Sequence, residues 1–166
     1  MAYQVYLDTN ILSRLQDERI TLEGAESLLA IARHPEVCLL VSRYTRAELE
    51  SAVDPRKAAL LAFFGQLLPL LQWHDFEIGG GIGDAIGSGI GGGSEDPLYT
   101  QLRRVFDPGD ALHIFQAMRS RCSFFLTLDR RTILNRVAEH SAHIAELCPD
   151  LTFVDPISLL GLLEAH

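Results

Sequence analysis

The chain has 166 residues, 48% hydrophobic and 22% charged, which is the size and composition of one globular domain and excludes global disorder. Fourteen Lys and Arg against twenty-two Asp and Glu leave a formal net charge of −8, the wrong sign for non-specific adhesion to nucleic acid. A polyanionic ligand would have to be held by local cations or by metal.

The first element is an apolar strand, Tyr3-Gln4-Val5-Tyr6-Leu7, which runs straight into Asp8-Thr9-Asn10 and so delivers a carboxylate to the edge of a sheet. A short helix is expected over 11–15. A second follows in which Leu22, Ala25, Leu28, Leu29 and Ala32 recur at helical spacing until His34-Pro35 stops it. Residues 37–41 form a continuous apolar run of strand length, the pattern of a strand buried on both faces. Helices are expected over 45–53 and over the very apolar 57–71, ending near Pro69. Residues 79–94 are dominated by glycine and read as a flexible loop. They contain no G-x-x-x-x-G-K-[ST] pattern, which argues against a phosphate-cradling loop.

Beyond this segment the pattern predicts helices over 97–105 and 110–121, the latter with Ala111, Ile114, Phe115 and Met118 on one face. A strand at 124–128, a helix at 132–139, a strand at 151–154 and a closing helix at 157–163, introduced by Asp155-Pro156, complete the chain. Strands alternating with helices imply an α/β fold with a mostly parallel sheet covered on both faces. With no internal repeat, residues 1–166 read as a single domain. Cys38, Cys122 and Cys148 lie far apart with no C-x-x-C spacing and read as small buried side chains in a reducing compartment. The N-terminus carries no secretory pattern, and 60–71 is interrupted by Gly65, Gln66 and Pro69 and is too short to cross a bilayer. The expected location is cytoplasmic, with no membrane partner.

Ligands of open parallel sheets bind outside the carboxyl ends of the strands. Asp8 and Asp129 stand at the ends of two strands. The helix that begins at Asp110 runs antiparallel to the strand it feeds, so Asp110 belongs to the same rim, and Glu48 lies in the first turn of the helix leaving the second strand. Each acid also has a plainer reading: Thr45-Arg46-Ala47-Glu48 fits a capping box, and Asp8, Asp110 and Asp129 fit helix N-caps. Caps do not explain why all four should share one edge, since two like charges about 4 Å apart cost about 4 kcal/mol at an effective dielectric of about 20. Hard oxygen donors without His or Cys point to Mg²⁺ or Mn²⁺. Asp107 and Asp155 read as turn or cap residues. The six histidines show no zinc spacing, and only His113, one helical turn from Asp110, stands near the rim. No G-x-S-x-G elbow supports a serine nucleophile. Arg119, Arg121, Arg130, Arg131 and Arg136 fall in one stretch, suited to phosphate or equally to a solvated face.

Four segments, Leu7-Asp8-Thr9-Asn10-Ile11-Leu12, Val41-Ser42-Arg43-Tyr44-Thr45-Arg46-Ala47-Glu48-Leu49, Asp110-Ala111-Leu112-His113-Ile114 and Phe125-Leu126-Thr127-Leu128-Asp129-Arg130-Arg131, together resemble the PIN-domain family, and within it the VapC-type toxin ribonucleases of toxin-antitoxin modules. The resemblance implies a three-layer α/β/α sandwich and an Mg²⁺-dependent endoribonuclease with Asp8, Glu48, Asp110 and Asp129 as catalytic metal ligands. Thr9, Asn10, Ser42 and Thr127 match the family's supporting polar positions. Arg43, Arg130 and Arg131, next to the acids, are candidates for RNA phosphate. A cognate antitoxin and a homodimer are the implied protein partners, with the apolar 60–71 stripe as a docking surface or simply core. The chain departs from the family in having Leu128 where Asn is frequent, in the glycine-rich segment, and in its net acidity. Two other readings stand beside the nuclease. One is a PIN-like module that binds RNA or protein without cutting; the other is a phosphoacceptor domain using Asp8, which lacks the second acid of a D-x-D pair because position 10 is Asn.

Overall fold

A computed structural model describes residues 3–16, 20–41, 71–73 and 96–165. The helices expected at 45–53 and 57–70, the glycine-rich 79–94, and the expected site residues Ser42, Arg43 and Glu48 lie outside the described residues.

In chain order the elements are β1 (Tyr3–Leu7), α1 (Thr9–Gln16), α2 (Leu22–Arg33), β2 (Val37–Val41), β3 (Leu71–Trp73), α3 (Pro97–Leu102), α4 (Pro108–Arg119), β4 (Phe124–Leu126), a π-helical turn (Arg130–Leu134), α5 (Asn135–Glu139), α6 (Ser141–Leu147), β5 (Thr152–Val154) and α7 (Pro156–Glu164). The five strands form one sheet in the order β3-β2-β1-β4-β5, and every neighbouring pair is parallel.

Both faces of the sheet are covered, because successive side chains point to opposite sides and both sets are apolar. Val5, Leu7, Leu39, Val41, Leu126 and Val154 pack with Ile11, Leu28, Ile31, Leu159 and Leu163 of α1, α2 and α7. Tyr6, Leu40 and Phe125 pack with Leu102, Ile114, Phe115, Ile133 and Ile144 on the other face. The result is the expected three-layer α/β/α arrangement. Short caps set the helix starts: Thr21 Oγ1 accepts from Gly24 N at 3.1 Å, Asp96 from Leu98 N at 2.9 Å, and Asp155 from Ser158 N at 2.8 Å. Pro97 and Pro156 occupy first-turn positions where no amide is needed. Among the described residues no helix is long and apolar enough to cross a membrane.

Four departures from the sequence reading have physical causes. Leu71, expected to close a helix, opens the unforeseen strand β3, whose three residues pair with Leu39, Leu40 and Val41; a parallel edge strand this short takes its definition from a distant neighbour. The helix expected from Asp110 begins at Pro108, so Asp110 is the third residue of α4 and Asp107 takes the cap position, without a side-chain cap bond. The helix expected at 132–139 starts instead as a π turn, with Leu134 N donating to Asp129 O at 3.0 Å across five residues. α6 was not foreseen either: only Ile144 of it is buried, too weak a stripe to read.

α4 ends in a Schellman motif: Cys122 N donates to Ala117 O and Arg121 N to Met118 O, at 3.0 and 2.9 Å. Arg121 occupies the left-handed position with φ 53°, where glycine is the usual residue. Replacing Arg121 by Gly is expected to stabilise the fold by about 1 kcal/mol, read as a higher urea midpoint at unchanged slope.

Candidate functional site

β1 leads to β2 on one side, and the chain later returns to lay β4 on the other side of β1. A crevice opens at such a reversal, outside the carboxyl ends of the two strands, and Asp8 and Thr127 are the residues that leave those strands. Asp8 N donates to Leu126 O at 3.0 Å, and Thr127 N to Val154 O at 3.0 Å, so both residues are tied to the sheet. Asp8 is 4% exposed and Thr127 0%. The Thr127 hydroxyl donates to Asp8 Oδ2 at 2.6 Å and accepts from Asp129 N at 3.0 Å. One hydroxyl therefore joins two of the expected acids across Leu128, which itself packs against the core. The Asn10 amide also donates to the Asp8 carboxylate, so Asp8 caps α1 at the carboxyl end of β1.

Asp129 Oδ1 accepts from Thr132 N at 2.8 Å, which caps the π turn, and Asn10 Nδ2 stands 3.5 Å from Asp129 Oδ2. The side chain of Thr132 in turn hydrogen-bonds Asp110. Burial pushes the Asp8 carboxyl above the usual carboxylate range, and the charge of Asp110 adds to this, while His113 and the bonds from Thr127 and Asn10 oppose it. Burial likewise raises Asp110, helped by the charges of Asp129 and Asp107 and opposed by Thr132 and His113. Asp110 is thus within electrostatic reach of both Asp8 and Asp129. Among the described residues none of them is paired with Lys or Arg, the ion pairs there being Arg119 with Asp96 and Arg130 with Asp155.

Next to these acids lies a buried polar network that no local pattern shows. The Tyr6 hydroxyl donates to Gln116 Oε1 at 3.0 Å and lies 2.7 Å from His113 Nδ1; with its own proton given to Gln116, it accepts from the ring. His113 Nε2 lies 3.4 Å from the Thr9 hydroxyl. Tyr6 also stacks on Phe125 with centroids 5.3 Å apart. The network fixes the face of α4 that carries Asp110 against β1, the strand that carries Asp8.

Of the expected residues, Asp8, Asp110, Asp129, Thr127 and Asn10 come together, with Thr9 joined through His113. Arg130 and Arg131 are exposed beside Asp129, and Arg130 Nη2 lies 3.7 Å from Asp155 Oδ2. Thr132, Tyr6 and Gln116 were missed. The D-x-x-T spacing of Asp129 and Thr132 carries a cap signal, but nothing local marks Tyr6 or Gln116.

The donor set fits a hard cation in kind: carboxylates alone, mutually repelling, with the buried Asn10 Oδ1 left without a hydrogen-bond partner. Among the described residues, however, no three His, Cys, Asp or Glu side chains are grouped closely enough to hold a metal ion. No protein-family model, curated protein or solved structure matches the chain.

Proposed function

We propose that the chain is an Mg²⁺-dependent endoribonuclease of PIN-domain type and the toxin of a toxin-antitoxin pair. The observation that carries this reading is the meeting of Asp8, Asp110 and Asp129 at the reversal point of the sheet, with Asp110 coupled to both of the others and no Lys or Arg counter-ion among the described residues. Three neighbouring carboxylates are a costly arrangement for a fold that needs only caps, and a divalent cation removes the cost.

Asp8, Asp110 and Asp129, with Glu48, would hold Mg²⁺ or Mn²⁺. When bound, the cation supplies Lewis-acid stabilisation of the charge developing on a phosphodiester and lowers the pKa of water. The chain's own residues prepare the site. Thr127 fixes the Asp8 carboxylate and the Asp129 amide with one hydroxyl, and Thr132 links Asp129 to Asp110. Arg130 and Arg131, with Arg43, offer guanidinium groups to flanking RNA phosphates, the local cations that a chain of net charge −8 requires. A homodimer and a cognate antitoxin belong to the same proposal, as does a cytoplasmic location.

The test is cleavage of a structured RNA by the purified chain. The expected result is cutting with millimolar Mg²⁺, none with EDTA, and recovery when Mg²⁺ or Mn²⁺ is returned. Cutting that is indifferent to EDTA would sink the metal-dependent reading.

A non-catalytic PIN-like binding module is favoured by one observation, the lack of a three-residue metal-binding group among the described residues. Calorimetry separates the two: heat of Mg²⁺ binding at millimolar concentration supports the nuclease, and its absence together with retained RNA binding supports the module.

A further inference from the structure

The opposite edge of the sheet carries a second concentration of chemistry. The end of α4, the entry to β4 and the loop before β5 enclose a cleft of about 400 Å³ lined by Met118, Arg121, Cys122, Cys148 and Asp150, among others. Three of these residues carry sulfur, and they come from two separate segments. Cys148 Sγ lies 3.3 Å from Met118 Sδ, and Cys122 and Cys148 are free and buried. Cys38, on β2, is close enough to Cys122 to act on it electrostatically. The described lining contains no histidine.

We propose that Met118, Cys122 and Cys148 form a binding site for a soft monovalent cation of the copper(I) class, held by two thiolates and a thioether. Soft sulfur donors select such an ion over hard divalent cations. Two thiolates and one monovalent cation leave a net charge of −1; of the charged residues on the cleft wall, Arg121 offsets it and Asp150 adds to it. This also gives Arg121 a reason to hold a left-handed position that favours glycine. Binding breaks two S–H bonds, releases both protons to solvent and forms two S–metal bonds, with no change of oxidation state. Burial pushes the Cys148 thiol up to about 11 and, with Cys38, the Cys122 thiol up to about 12. A role as reactive nucleophiles is disfavoured for the same reason.

The site is independent of the proposed nuclease centre, which lies at the carboxyl ends of the strands. The test uses the full chain, reduced and anaerobic, titrated with Cu(I) against a colorimetric Cu(I) chelator. The chain should withdraw one equivalent, and Cys38→Ser should do the same. Met118→Leu, which keeps the volume, should fold with an unchanged circular dichroism spectrum and bind about ten-fold or more weakly, and Cys122→Ser with Cys148→Ser should withdraw none. The proposal is overturned if the wild type fails to compete with the chelator, if Met118→Leu binds as tightly as the wild type, or if Zn²⁺ displaces Cu(I) at equal concentration. Should the double serine variant not fold, the Met118→Leu comparison decides alone.

Discussion

Asp8→Asn is expected to lower Mg²⁺-dependent RNA cleavage by at least about a hundred-fold, equivalent to about 3 kcal/mol of transition-state stabilisation, and to raise the melting temperature. The two effects have one cause. Asp8 is buried and its carboxyl is held above the ordinary value of 3.8, chiefly by burial and further by Asp110, so the ionised form is disfavoured in the fold. A carboxyl raised in this way binds its proton more tightly folded than unfolded. Its contribution to stability is full below pH 3.8 and is lost as pH rises through the folded-state value, and Asp110 acts in the same direction. Asn has nearly the same shape and no charge to desolvate, so the substitution should stabilise the chain by on the order of 1 kcal/mol at neutral pH. Its stability should also depend less on pH in the acid range. Mg²⁺ should raise the melting temperature of the wild type and leave that of Asp8→Asn unchanged. Cleavage surviving the substitution would remove Asp8 from the catalytic assignment, and a lower melting temperature would show that its hydrogen bonds outweigh its desolvation.

Thr127→Val should destabilise the fold by about 2–4 kcal/mol, and Thr127→Ser by less than about 1 kcal/mol. The fully buried hydroxyl donates to Asp8 Oδ2 and accepts from Asp129 N. A methyl in its place leaves a carboxylate oxygen and an amide without partners, each worth about 1–3 kcal/mol. For a domain of this size the valine variant should melt about 5–15 °C lower. Urea unfolding of the three proteins checks it. Equal midpoints for threonine and valine would mean that the hydroxyl bridge carries no energy.

Much of the α/β plan was legible along the chain. The apolar runs of β1 and β2 and the periodic faces of α2 and α4 are local patterns, and they set both the element order and the parallel sheet. Asp8 and Asp129 could be placed from the strands they follow, and Asp110 from the direction of the helix that precedes β4. The alternative reading of these acids as caps is true of Asp8 and Asp129, which cap α1 and the π turn at the carboxyl edge of the sheet; Asp110, at the third position of α4, is not a cap. β3 escaped because three residues carry too little pattern, and α6 because almost none of it is buried.

Residue order alone carries the identity of the chemistry: oxygen acids at strand ends, and sulfur residues with no local motif to join them. Which of these groups act together follows from the three-dimensional packing. Tyr6 meets His113 and Gln116 across 107 and 110 residues, and Thr127 meets Asp8 across 119, while Met118 and Cys148 close on each other from the far end of the sheet. The physical reason is that side-chain periodicity and caps are set by neighbours a few residues away. A shared hydroxyl or a sulfur pair depends instead on the register of parallel strands, which no local pattern encodes.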